Sequence, residues 1–248
     1  MKPTRIHLSR QPRLAAFTLV ELLTVIAIVG ILAGIIIPVI SSVRSSAKTS
    51  NCAANLRQIA AGCMLYSAEH KNLLIPIAGG TKPNGADAQT WRLLISPYIN
   101  QENAIGILGC PADDRLDSFD TSRGLLPASY GINKTIGLHQ YLTSGVSHIA
   151  SDVVRPTSTI MVSDISFVDN PGAPAGQWTD ARRTTGSGNF GYARFPSDGF
   201  YSSDPWISFP RHGNKLNVAF YDGHVESISP ALILDNTSGQ VACIYDNN

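Results

Sequence analysis

The chain is expected to fold as α+β: one long N-terminal helix, transmembrane and then amphipathic, packed on a head built around an antiparallel β-sheet. Three observations predict this. Residues 17–40 are apolar apart from a single charge, Glu21. Farther on, Cys52, Leu56, Ile59, Cys63 and Tyr66 recur at spacings of 4, 3, 4 and 3, the period of a helix with one apolar face. Beyond His70 the pattern becomes short β-rich runs between turn residues.

The leader comes first. Lys2, Arg5, Arg10 and Arg13 lie within the first 16 residues, where no acid occurs. Such a basic end holds the N-terminus on the cytoplasmic side of a membrane. Without it the remainder has 15 basic against 18 acidic residues, a balance that does not favour nucleic-acid binding.

The apolar run follows. About 23 helical residues at ~1.5 Å each reach roughly 35 Å, enough to cross a hydrocarbon core. The run is longer than the apolar region of a secretory signal, and no small-x-small cleavage site closes it. Glu21 is the anomaly. An ionised side chain at bilayer depth costs roughly 2.5–3.5 kcal/mol, so an acid kept there implies a function. Pro38 removes a backbone donor and is expected to kink the helix near the membrane interface. Gly30-x-x-x-Gly34 is a candidate helix-contact motif, though a weak one by itself. The amphipathic stripe then carries the same helix to about His70.

In the head, Trp91 to Tyr98 reads as a short helix, and Ser129 to Asn133 and Thr159 to Ser163 as strands. Leu216 to Tyr221 and His224 to Ile228 flank Asp222-Gly223, a hairpin signal that suggests a type I′ turn with positive φ at both central residues. Val241 to Tyr245 is a candidate last strand. Residues 169–215 hold 7 glycines, 5 prolines and 8 of the 19 aromatics. So many rings in a glycine-rich segment suggest an excursion pinned against the sheet, or else a recognition surface for polysaccharide or cargo. Arg182, Arg183 and Arg194 lie among those rings.

Four cysteines, Cys52, Cys63, Cys110 and Cys243, are candidates for disulfide bonding in an oxidising compartment. On one helix the first two stand ~16 Å apart, beyond the ~7 Å limit for a bridge. Either one would therefore staple the helix to the head through Cys110 or Cys243. Small buried thiols are the equal alternative. No P-loop, dinucleotide fingerprint, nucleophile elbow, HExxH or Cys-x-x-Cys occurs, and the chain is expected to be non-enzymatic, without a resident cofactor.

Ala16 followed by Phe17-Thr18-Leu19-Val20-Glu21, the apolar helix and Pro38 resembles the N-terminal signal of type IV pilins and type II secretion pseudopilins. The resemblance implies cleavage between Ala16 and Phe17 by a prepilin peptidase, methylation of the new Phe17 amine, and assembly through Phe17 and Glu21. Ala16 stands where that family usually has Gly. The implied organisation is a cleaved leader at 1–16, a transmembrane helix at 17–40, its amphipathic continuation at 41–70 and a periplasmic or extracellular head at 71–248. The implied partners are the peptidase, inner-membrane lipid, an assembly platform and other pilin-like subunits, with no nucleic acid.

His212, nine residues, then Asp222-Gly223 is similar to the H-x9-DG domain of many prepilin-type proteins. Asn51 to Ile59 and Cys110-Pro111-Ala112-Asp113 are similar to other pieces of that family. The motif is read as structural. An extended strand would hold His212 and Asp222 roughly 20 Å apart, so Asp222-Gly223 makes the turn and His212 bonds the preceding loop, with no shared metal. His224, just past the turn, reads as a half-exposed strand residue. The pseudopilin resemblance also implies a calcium possibility, for which Asp164, Asp169, Asp198 and Asp204 are the candidate carboxylates. The reading is of a filament subunit, with the secretion pseudopilus slightly favoured because no adhesive-pilin disulfide loop is evident at the C-terminus. The alternative is a tethered binding head that never polymerises.

Overall fold

Helix α1 spans Leu19–Glu69, 51 residues, and continues through Pro38. The computed structural model describes residues 19–79, 89–100, 104–113, 129–134, 149–180, 191–194 and 206–234. Phe17 and the candidate strand at 241–245 lie outside the described residues. The chain divides into two units, residues 1–44 and 45–248.

In the first unit every large apolar side chain of α1 from Leu19 to Val43 is at least half exposed, Leu19 at 78 %. By length and composition this helix is able to cross a membrane. A continuous apolar surface of that size needs lipid or other helices around it. Thr24 answers its own polarity by donating its hydroxyl to the Glu21 carbonyl, 2.9 Å away.

In the second unit the remainder of α1 buries Cys52, Leu56, Ile59, Ala60 and Cys63, four of them from the spacing pattern that marks its apolar face. Full burial of each Leu or Ile contributes roughly 1.5–3 kcal/mol. Tyr66, last on the stripe, is half-buried, stacks on the His70 ring at 4.0 Å and meets Tyr98 edge-on. Two short helices, α2 at Trp91–Ile95 and α3 at Ala104–Leu108, add Trp91, Ile95, Ile107 and Leu108 to the same core. A two-stranded ribbon, β1 (Ala78–Gly79) with β2 (Gln89–Thr90), leads into α2.

The sheet is mixed and has six strands: β3 Tyr130–Asn133, β4 Ile160–Phe167, β5 Tyr192–Ala193, β6 Trp206–Ser208, β7 Leu216–Phe220 and β8 Val225–Ile228. Its order is β5-β3-β4-β7-β8, with β6 also paired to β4. All strand pairs are antiparallel except β3–β5, which is parallel. Short helix α4 follows β8 at Ala231–Leu234.

Strand β4 is the axis of the sheet, and all eight of its residues are buried. One edge pairs with β3. Along the other, β6 covers Ile165–Phe167 and β7 covers Ile160–Ser163, so residues 209–215 leave the sheet between them. That departure ends in a tight reversal in which His212 and Lys215 exchange both backbone hydrogen bonds, at 2.9 and 3.1 Å. Gly213 and Asn214 between them have φ of +59° and +63°, which is a type I′ turn.

The turn at Asp222-Gly223 is correspondingly different from expectation. Only Gly223 has positive φ, +88°, and the Phe220 N–H bonds the His224 carbonyl across a three-residue loop. Asp222 keeps an ordinary φ because its carboxylate is held locally, accepting the His224 N–H at 3.1 Å and facing the His224 ring. His224 is exposed and stacks on Phe220 with centroids 4.2 Å apart. Burial works to raise the Asp222 carboxyl, but the His224 ring and backbone N–H outweigh it and leave the group below the usual carboxylate range.

Glycine is required at position 131 by space. A Cβ there would stand 2.7 Å from the Ile165 side chain and 2.7 Å from the Tyr192 backbone. Gly131→Ala is therefore expected to cost about 1–3 kcal/mol. Urea unfolding of the full chain in detergent measures this, with Gly172→Ala, which meets nothing within 4 Å, as the neutral control.

Candidate functional site

The described polar chemistry of the head converges where β4, the 209–215 reversal, the segment after α3 and helix α1 meet. Cys52 of α1 is bonded to Cys110, with Cα atoms 5.2 Å apart and a sequence separation of 58. His212 lies against this disulfide. Its Nε2 is 3.6 Å from Cys110 Sγ and 3.2 Å from Asp164 Oδ2, and its Nδ1 is 3.3 Å from Thr49 Oγ1 on α1. The type I′ turn explains this placement, since closing the chain at Gly213-Asn214 sets His212 at the base of a two-residue loop.

Asp164 organises the break in the sheet. Its backbone carbonyl accepts the Phe209 N–H at 2.9 Å, and its carboxylate accepts the Asn217 N–H at 2.8 Å, so one residue ties both ends of the excursion. The second carboxylate oxygen, Oδ1, is buried without a hydrogen-bond partner. Asn217 also donates its side-chain amide to the Thr49 carbonyl of α1 at 3.3 Å.

A second polar pair adjoins the first. The Arg211 guanidinium is 3.3 Å from Asp113 Oδ2 and donates to the carbonyls of Ile165 and Ser129 at 2.8 and 3.3 Å. Ser129 donates its hydroxyl to Asp113 at 2.7 Å, and the Asp113 N–H closes a turn onto the Cys110 carbonyl at 2.7 Å. Tyr130 donates to the Cys52 carbonyl at 3.4 Å; burial, then the Asp164 charge, push its hydroxyl well above the usual tyrosine range.

The two ends of the H-x9-DG pattern do not share a ligand. Asp222 is engaged with His224, while His212 is engaged with Asp164, Thr49 and the disulfide. The spacing instead measures one type I′ turn plus strand β7. Each end touches α1: His212 at Thr49, and the Gly223 turn at Met64, whose sulfur lies 3.2 Å from where a Cβ would be.

Cys63 is a free buried thiol, pushed up to about 12 by burial. It lines a cavity of about 180 Å3 together with Met64, Ser67, Leu74, Met161 and Tyr221. Burial raises the Tyr221 hydroxyl as well. Cys243, Ala16, Phe17, Asp198, Asp204, Arg182 and Arg183 lie outside the described residues. Glu21 falls in the first turn of α1. Asp164 is turned into the His212 contact and Asp169 is exposed. Among the described residues the grouping with metal-ligand spacing is Cys52, Cys110 and His212, whose sulfur and nitrogen donors are not a calcium set.

The aromatic excursion is pinned where it is described. Trp178 is buried against Val168 and Ile207 and donates its indole N–H to the Ala173 carbonyl at 2.9 Å. Arg194, which lies among those rings, is buried with its guanidinium 5.0 Å above the Tyr192 ring.

Nothing in the sequence marks Arg211, Thr49 or Asn217, and Asp164, expected only as a calcium carboxylate, instead meets His212 and the Asn217 N–H. Cys110-Pro111-Ala112-Asp113 and the Gly213-Asn214 pair were the available signals, the first for a Cys-Asp turn and the second for a reversal.

A long N-terminal helix carrying a six-stranded mixed sheet is a pilin-like α+β arrangement. Residues 41–113 match a family model described as protein of unknown function (DUF1559). That span contains both bonded cysteines and Asp113 but not the H-x9-DG residues. No curated protein and no solved structure matches the chain.

Among the described residues the site is a buried set of links joining α1, β4, the segment after α3 and the 209–215 reversal. Reducing the disulfide is expected to lower stability by about 4 kcal/mol, from the loop entropy released by a 58-residue separation. His212→Ala leaves the buried Asp164 carboxylate with the Asn217 N–H but without its imidazole partner, and is expected to cost about 1–3 kcal/mol. Denaturant unfolding of the full chain in detergent, with and without reductant, checks both.

Proposed function

We propose that the chain is a prepilin-type filament subunit of the type IV pilus or type II secretion kind, stored in the inner membrane and polymerised through α1. The observation that carries this reading is Glu21. It is the only charge in a membrane-length apolar stretch, and it sits in the first turn of a helix that continues without a break into the head core.

Cleavage after Ala16 by a prepilin peptidase would make Phe17 the new N-terminus, its amine four residues from Glu21. Pairing reduces the cost of a buried charge. In a staggered bundle the Glu21 carboxylate of one subunit meets the Phe17 amine of the next, which fixes register as well as charge. The exposed apolar surface from Leu19 to Val43 is what such packing covers. The pilin-like fold and the DUF1559 match over residues 41–113 support the reading.

The work of the subunit is associative, not catalytic. The helix builds the filament, and the head, held outside the inner membrane, contacts neighbours or cargo. Trp178, Tyr192 and Phe209 of the 169–215 segment serve the core, which favours assembly over a tethered polysaccharide-binding head.

Glu21→Ala is expected to leave insertion and leader cleavage intact while lowering recovery in sheared filaments about tenfold or more, as the loss of one charge pair in lipid implies. Quantitative immunoblotting of shear fractions reads this, and mass spectra of filaments should begin at a methylated Phe17. Wild-type recovery of the variant would reject the proposal.

A further inference from the structure

We propose that Cys52, Cys110 and His212 form a zinc site when the disulfide is reduced, with the Asp164 carboxylate as the fourth ligand. The three side chains offer ligand atoms all within 4.8 Å of one another, and all three are buried. Tetrahedral zinc, with bonds of ~2.3 Å to sulfur and ~2.0–2.1 Å to nitrogen, spaces those ligands about 3.6 Å apart, and its oxygen and nitrogen ligands about 3.3 Å apart. His212 Nε2 stands 3.6 Å from Cys110 Sγ and 3.2 Å from Asp164 Oδ2.

Two further features fit a cation. Asp164 has a buried oxygen, Oδ1, without a hydrogen-bond partner, which a metal-bound carboxylate tolerates better than a purely protein core does. Thr49 Oγ1 lies 3.3 Å from His212 Nδ1 and is itself 3.1 Å from the Ser45 carbonyl, to which it can donate. That leaves its lone pair for an Nδ1–H, the tautomer that frees Nε2 for a metal. Such outer partners are the usual support of a histidine ligand.

The chemistry balances without a missing reactant. A dithiol donates two electrons to the Cys52–Cys110 bond and becomes a disulfide itself, leaving two protein thiols. Zinc then replaces the two thiol protons, which pass to solvent. The ion joins α1, the segment after α3 and the 209–215 reversal, where the disulfide joins only the first two. The fold is thus cross-linked at the same place in either redox state, including in a chain that has not yet been oxidised.

The test uses the full chain in detergent micelles with Cys63→Ala and Cys243→Ala, so that only the proposed pair supplies thiols. After dithiol reduction and gel filtration under argon, Co2+ is titrated as the spectroscopic probe and then displaced by Zn2+. The expected result is a tetrahedral cobalt spectrum with a thiolate charge-transfer band that saturates at one equivalent, absent from the oxidised protein. His212→Ala should weaken binding by about 100-fold and Asp164→Asn by about tenfold. His212→Cys should restore binding with a stronger charge-transfer band, which settles the matter if the alanine variant does not fold. A reduced parent that gives no such spectrum, or a folded His212→Ala protein that titrates like the parent, overturns the proposal.

Discussion

One stretch of helix makes the head possible. From Cys52 to Cys63, α1 buries a face against the sheet and the two short helices, and the largest core cluster includes residues from all of them. The same helix, one turn after another toward its start, has apolar surface all round and therefore needs a different solvent. A single continuous backbone is apolar and exposed all round at one end and packed into a protein core at the other. The charged and polar groups at Thr49, Cys52, His212, Asp164 and Asn217 stand where the second condition begins, and they specify which residue of the helix meets which residue of the sheet.

That specification uses buried charge, which is an expensive material. The pair of Arg211 with Asp113 returns little net stability over well-packed apolar groups, because both partners surrender their hydration. What it supplies is uniqueness. An apolar helix face can slide by a turn along an apolar sheet at small cost, whereas a carboxylate, an imidazole and a covalent sulfur bridge cannot all be re-satisfied in a shifted register.

Much of this was legible from residues alone. The helix and its core-facing positions are legible in the apolar run from Phe17 and the recurrence of Cys52, Leu56, Ile59 and Cys63, because helical periodicity reports burial directly. Strands β3, β7 and β8 followed from β-branched runs bounded by turn residues. Strand β4 is legible only to Ser163, since an acid reads as the end of a strand; Asp164 is buried because the neighbouring loop returns a histidine and a backbone N–H to it. The type I′ turn was placed at Asp222-Gly223 and occurs at Gly213-Asn214. Both dipeptides permit positive φ, and the difference was decided by the His224 contact that holds Asp222. The pairing of Cys52 with Cys110 and the position of Asp164 depend on contacts more than 50 residues apart in sequence, which no local pattern reports.

The location of the sulfur bridge has a mechanical corollary. Cys52 is the first buried residue of α1 on the path from its N-terminal end into the head. Tension applied along the helix from that end would reach a covalent link before it reached Leu56 or any other dispersion contact. A shearing load would then be passed to the segment around Cys110 through a bond that does not creep, and the packed layer behind it would be spared.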